Sequence, residues 1–441
     1  MKIKTSKIDT IIHATWIAPV EPVDTLHHHY SIAIHDGRIQ DLLPKQDIID
    51  KYLADVEITL DNHLLIPGLI NTHTHSPMSL MRGLADDLPL MDWLNNHIWP
   101  TEQQHVSAEF VLDGSLLACA EMIKSGTTCF NDMYFFPEIT ARAVEQAGMR
   151  AKLGLILIDF PSAWASDADE YLAKGIELHD KLRSNSLIST AFAPHAPYTV
   201  SDAPLKRITT YAEELDIPVH IHLHETADEV EQAVSESGQR PIARLNELGL
   251  LSPRLLAVHM TQLNDDEIAL IAETGAHVLH CPESNLKLAS GFCPTFKLQQ
   301  AGINISLGTD GAASNNDLDM ISEMHTAALL AKAVANNASA LPAEDILRMA
   351  TINGAIALGL DSEIGSLEVG KSADITAVDL GGIENQPVYC PVSQLIYSAG
   401  RENVTNVWVA GNHLLKDKEL TTLDEKAILE KAHYWQEKIN T

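Results

Sequence analysis

Residues 64–75, LLIPGLINTHTH, open as a buried apolar run and close on two histidines separated by one residue, His73 and His75. Successive side chains of an extended chain point to opposite faces, so both imidazoles fall on one side. The run is the first of eight β-branched or apolar runs between residues 64 and 311, the others being TTCFNDM, AKLGLILI, LISTAFAPHA, IPVHIHLHE, LLAVHMT, HVLHCPES and NISLGTDG. The stretches between them have helical periodicity and caps. Ser107 is placed to N-cap a helix carrying Val111, Leu112, Leu116, Cys119, Met122 and Ile123 that stops at Gly126. Strands alternating with helices predict a parallel sheet with crossover helices. Eight strands are the number that closes a (β/α)8 barrel. An open doubly wound sheet shares the pattern, but most of the runs end in His, Asp or Glu, and barrel enzymes gather their chemistry at the C-terminal ends of the strands.

The flanks read differently. Residues 1–63 contain YSIAIHDGRIQDLL, two alternating strands around the hairpin signal Asp36-Gly37. GSLEVGKSADITAVDL and NVWVAGNHLL, between residues 365 and 415, again read as strands with glycine-bearing turns, and the tail from Asp424 reads as an amphipathic helix. Each β piece is too small to bury a core alone. The expected organisation is therefore an α/β chain with a barrel over 64–364 and a composite β-sandwich, with the terminal helix, from 1–63 and 365–441.

Composition limits the function classes. Sixty acidic against 30 basic residues give a net charge of -30, a surface that repels nucleic acid and anionic membranes. No apolar stretch reaches the ~18 residues of a membrane span, and MKIKTSKIDT lacks a signal peptide's apolar core, so a soluble, cytoplasmic protein is expected. A small-molecule ligand fits better than a polymeric phosphate, and a homo-oligomer is compatible with the sequence. Five cysteines without a CxxC pair read as reduced packing residues.

Histidine is abundant, with 21 copies. His27-His28-His29, in a polar stretch, reads as solvated. The THTH ending is different, because the fifth run brings His220, His222 and His224 to one face with Glu225 beside them, and the eighth ends in Asp310. Three imidazoles and one carboxylate suit a borderline ion such as Zn2+, one per subunit, with Fe2+ or Mn2+ as alternatives, and leave room for water. Spacing does not choose among the three histidines of the fifth run.

PGLINTHTH, the histidine-bearing fifth run, VHMTQL, SLGTDGAASNN and GSLEVGKSADI resemble, in order, the signatures of the amidohydrolase superfamily. WLNNHIWPTE (93–102), APHAPYT, HLHET and CPESNLKLASG are similar to its 5-methylthioadenosine/S-adenosylhomocysteine deaminase branch. The resemblance implies metal ligands His73, His75, His222 and Asp310, with Glu225 following His222 in the HxxE pattern. Because alternation would point Glu225 away from His222, the strand must bend or bulge at its end. Asp132 is expected to be structural. The fourth run ends in Pro194-His195 without a lysine, which favours a single metal. The implied reaction is attack of hydroxide on C6 of an adenine ring of a purine nucleoside. Glu225 would carry a proton to N1, Asp310 would accept the hydroxide's proton, and His259 would orient the nucleophile. Glu102 would accept hydrogen bonds from the ribose hydroxyls and His195 would touch substrate. Some members of the branch have an arginine in the third run, where Leu155 stands here; Arg82 and Arg150 are the substitutes to consider for a homocysteine carboxylate. The competing readings are a guanine, cytosine or aminotriazine deaminase or chlorohydrolase on the same scaffold, and, more remotely, a non-catalytic scaffold.

Overall fold

The computed structural model describes residues 6–441, so the start of MKIKTSKIDT lies outside the described residues. Eight parallel strands, Leu69–Thr74, Thr127–Asp132, Arg150–Leu157, Ile188–Pro194, Val219–Leu223, Leu255–His259, His277–His280 and Ile305–Leu307, neighbour one another in chain order. All eight expected runs are strands. The last meets the first through Thr72 Oγ1, which donates to the Leu307 carbonyl at 2.8 Å, and through Asp310 N–H, which donates to the His73 carbonyl at 3.0 Å. This is a nearly closed α/β barrel. Gly308 makes the closure sterically feasible, because a Cβ there would sit 2.7 Å from the His73 nitrogen.

The terminal segments form a nine-stranded sheet in which Ile375–Asp379 pairs with the long strand Tyr52–Pro67. That strand runs past residue 63, and the opening run of the sequence is really two strands: LLIP ends the sheet and LINTHT begins the barrel. The handover is Gly68, whose N–H donates to the Asp374 carbonyl at 2.9 Å and where a Cβ would lie 2.1 Å from Thr128 Oγ1. Tyr30–His35 and Arg38–Pro44 form the expected hairpin, with positive φ at Asp36 (48°) and Gly37 (73°). Its tip meets the turn at Ala410 and Gly411, so the sheet curls back over an interior of Ile12, Ile32, Ile34, Leu65, Ile375 and Trp408. GSLEVGKS is turn, not strand. His27–His28, in the polar stretch, forms a short strand on Trp16–Ile17.

Ser107 caps Ala108–Lys124 by accepting from Phe110 N–H, and Asp424 caps Glu425–Ile439 by accepting from Ala427 N–H. The terminal helix docks on the barrel rather than on the sheet: buried Trp435 stacks edge-on against Phe110 and donates its Nε1–H to Asp113 at 2.9 Å. No helix among the described residues is long and apolar enough to cross a membrane.

Candidate active site

The C-terminal ends of the barrel strands bring His73, His75, His222 and Asp310 together, with ligating atoms all within 4.8 Å of one another. His73 Nε2 and His75 Nε2 each lie 3.2 Å from Asp310 Oδ1, and His222 Nε2 lies 3.2 Å from His73 Nε2. Their backs are held. His75 donates Nδ1–H to the Met133 carbonyl at 2.6 Å, and His222 donates Nδ1–H to the His195 carbonyl at 2.7 Å. Each bond uses Nδ1 and turns Nε2 toward the cluster, the orientation a metal requires. Asp310 takes Ser284 and Ser314 hydroxyls on Oδ2, at 2.6 and 2.9 Å, leaving Oδ1 to the histidines.

The electrostatics of the cluster call for a cation. Burial opposes charge on Asp310, but hydrogen bonds from His73 and His75 hold its carboxyl well below the usual range. Burial lowers His73 to about 4 and takes His222 well below its ordinary value. His75 is raised to about 9 against its own burial, because Asp310, the Met133 carbonyl and Asp132 all favour its charged form. An ionised carboxylate among converging imidazole nitrogens, where a cation would take the place of the His75 proton, is a donor set that fits one divalent ion.

The fifth strand settles which of its histidines face this cluster. His220 and His222 do, His220 Nε2 lying 2.8 Å from His73 Nδ1. His224 does not: the strand ends at Leu223, His224 turns left-handed (φ 52°), and its ring bonds the Gln262 carbonyl and Ile242 N–H. The expectation of three histidines on one face is therefore corrected. The same turn is the bend that Glu225 needed. Glu229 fixes it by accepting both His224 N–H (3.1 Å) and Glu225 N–H (2.7 Å). Glu225 Oε2 then stands 3.8 Å from His259 Nε2, and burial raises its carboxyl. His259 (φ 73°) donates Nδ1–H to Asn285 Oδ1 at 2.9 Å. Left-handed backbone at His224, His259 and Asp310 (φ 62°) concentrates strain at this end of the barrel.

These groups floor a cavity of about 690 Å3 that also takes in His195 and Glu102. His195 packs beside His222, ring centroids 4.9 Å apart, and burial lowers it to about 3. Glu102, on the helix Trp99–His105, accepts from the Tyr134 hydroxyl at 2.7 Å; burial pushes its carboxyl up to about 7 while Tyr134 pulls the other way. The upper wall is apolar, with Trp93, Leu94, Ile98, Trp99, Ile158 and Phe160.

Neither candidate for the homocysteine carboxylate reaches the cavity. Leu155 faces outward onto Gly175, and it is Ile156 and Ile158 that line the cavity. Arg82 is paired with Glu121 and Arg150 with Asp374, and neither lines it. Asp132 accepts from Thr74 Oγ1 (2.9 Å) and Ser76 N–H (2.7 Å), the structural part expected. Sequence reasoning missed Tyr134, Asn285, Ser284 and Ser314. The last three lie inside CPESNLKLASG and SLGTDGAASNN, but their partners do not follow from the motifs.

The amidohydrolase family model matches residues 64–414. A 5-methylthioadenosine/S-adenosylhomocysteine deaminase from Teredinibacter turnerae is 53% identical over 99% of this chain and 98% of its own length. One from Saccharophagus degradans is 53% identical over 98% of this chain and 97% of its own. A crystal structure of an adenosine deaminase from Xanthomonas campestris with bound zinc superposes with a TM-score of 0.98, at 53% identity, covering 99% of both chains.

Proposed function

The chain belongs to the amidohydrolase family, and we propose that it hydrolytically deaminates the adenine ring of 5'-methylthioadenosine and/or S-adenosylhomocysteine, releasing ammonia and the inosine analogue. The observation that carries this reading is the convergence of His73, His75, His222 and Asp310 beside Glu225 and His259, on the floor of a cavity whose side wall offers Glu102. His73, His75 and His222 would hold one Zn2+, or Fe2+ or Mn2+ in its place, through imidazole nitrogen, and Asp310 through carboxylate oxygen. When bound, such an ion lowers the pKa of a coordinated water toward ~7 and so supplies a nucleophile at neutral pH.

The remaining steps belong to the chain's own groups. Glu225, whose carboxyl burial raises, delivers a proton to N1, which makes C6 electrophilic. Oxygen adds at C6, Asp310 takes the proton released, and His259, aimed by Asn285, hydrogen-bonds the incoming oxygen. That proton passes to the amino group, the C6–N bond breaks and ammonia leaves. Glu102 accepts the ribose hydroxyls, and His195 borders the base.

Among the described residues no lysine or arginine lines the cavity. A neutral methylthio group suits its apolar wall, whereas a homocysteine carboxylate would be left without a cation, so methylthioadenosine is the preferred substrate. Four of the five free cysteines are buried, which suits a reducing cytoplasm. The test is ammonia release from methylthioadenosine, S-adenosylhomocysteine, adenosine, adenine, guanine and cytosine. Methylthioadenosine should lead; a faster rate on guanine or cytosine would transfer the assignment to the free-base reading.

A further inference from the structure

We infer that Tyr134 is a positioning and specificity residue, whose hydroxyl holds the Glu102 carboxylate in the orientation that receives the ribose hydroxyls; this rests on the reading of Glu102 above. Glu102 sits on a seven-residue helix, Trp99–His105, that follows a π-helical turn, Leu94–Ile98. The helix does not itself hold the Glu102 carboxylate, which takes its side-chain hydrogen bond from elsewhere, the Tyr134 hydroxyl 2.7 Å from Oε1.

Tyr134 is in turn anchored by its neighbours. Met133 N–H donates to the Thr74 carbonyl at 2.9 Å, and the Met133 carbonyl receives His75 Nδ1–H at 2.6 Å. Asp132 receives Ser76 N–H at 2.7 Å and Thr74 Oγ1 at 2.9 Å. Asp132 and Met133 thus clamp the THTH segment, and Tyr134, next in the chain, reaches across to Glu102. The sugar-binding carboxylate is registered to the strand that carries His73 and His75, which sets the span from the ribose to the reacting carbon. Tyr134 is 5% exposed and sits in the apolar cluster with Trp93 and Ile98, so its ring packs while its hydroxyl has this one acceptor among its hydrogen bonds. The hydroxyl occupies one carboxylate oxygen and leaves the other to the sugar.

Tyr134→Phe keeps the ring and removes the hydroxyl. With methylthioadenosine, KM should rise about 10-fold while kcat stays within about threefold, the signature of lost substrate positioning. The metal content should match wild type. The 2',3'-dideoxy analogue should show no change, and in a Glu102→Ala background Tyr134→Phe should add less than about twofold. Equal losses on both substrates, or a full additional loss in the double variant, would reduce Tyr134 to a packing residue and overturn the inference. A wild-type enzyme that does not distinguish methylthioadenosine from its dideoxy analogue would instead overturn the reading of Glu102, and the inference with it.

Discussion

Two of the places where the barrel buries ionic groups are built on opposite plans. At the seam with the terminal sheet, Arg150 meets Asp374 through Nε (3.1 Å) and Nη2 (3.3 Å), its other donors go to Ser186 and Ser372, and Asp374 also accepts Ala410 N–H at 2.8 Å. Every charge there faces its opposite. At the strand ends, by contrast, imidazole nitrogens face one another and share a single carboxylate. The seam is electrostatically complete and serves to hold the sheet on the barrel. The cluster at the mouth is complete only with a cation. A buried polar assembly whose members do not satisfy each other is the one to read as a site.

The sharpest way to break this contrast is to remove the cation. The purified protein should carry about one divalent ion per chain by elemental analysis, and His73→Ala or His222→Ala should lose both the ion and detectable turnover. Undiminished activity after exhaustive chelation would show that the cluster is complete without metal.

Glu225→Gln should come next, losing ~10^2 to 10^4-fold in kcat while keeping the ion, because an amide cannot shuttle a proton. Loss of metal in this variant would mean that Glu225 belongs to the ligand set. Glu102→Ala should cost the ribosyl substrate about 10 to 10^4-fold in kcat/KM and its dideoxy analogue far less. Since burial raises Glu102 to about 7, the carboxylate form that accepts both hydroxyls gains population as pH rises through that value. KM for the riboside should therefore fall from pH 6 to pH 8, a trend absent in Glu102→Ala.

The smallest effect on turnover belongs to the seam. Asp374→Ala leaves Arg150 buried and unpaired, which should cost roughly 3 to 5 kcal/mol in denaturant unfolding, yet kcat/KM per folded molecule should stay at the wild-type value. A variant as stable as wild type would show that water or another group completes the seam.

Much of the scaffold was legible in sequence because its signals are local. Asp36-Gly37 needs left-handed backbone at both residues wherever it occurs, Ser107 caps its own helix, and alternation puts His73 beside His75 whatever the rest of the chain does. The eight runs in order were enough for the barrel. The helix from Asp424 was legible as a helix, but its place on Phe110 and Asp113 was not, since an apolar stripe does not name the surface that covers it.

The sequence by itself thus determined the residue types at the strand ends, the order of the strands and the family pattern they follow. Tertiary structure alone decided which of those residues meet. His224 leaves the shared face because Glu229, five residues on, captures two backbone N–H groups and turns the strand, an event that strict alternation does not foresee. Arg82 and Arg150 are spent on Glu121 and Asp374, 39 and 224 residues away. Tyr134 finds Glu102 only because the loop after the second barrel strand and the helix Trp99–His105 meet over the same barrel mouth. Backbone period is a property of neighbours along the chain, whereas the partner of a buried polar group is set by closure across it, and the burial that makes such a partner obligatory exists only in the folded state.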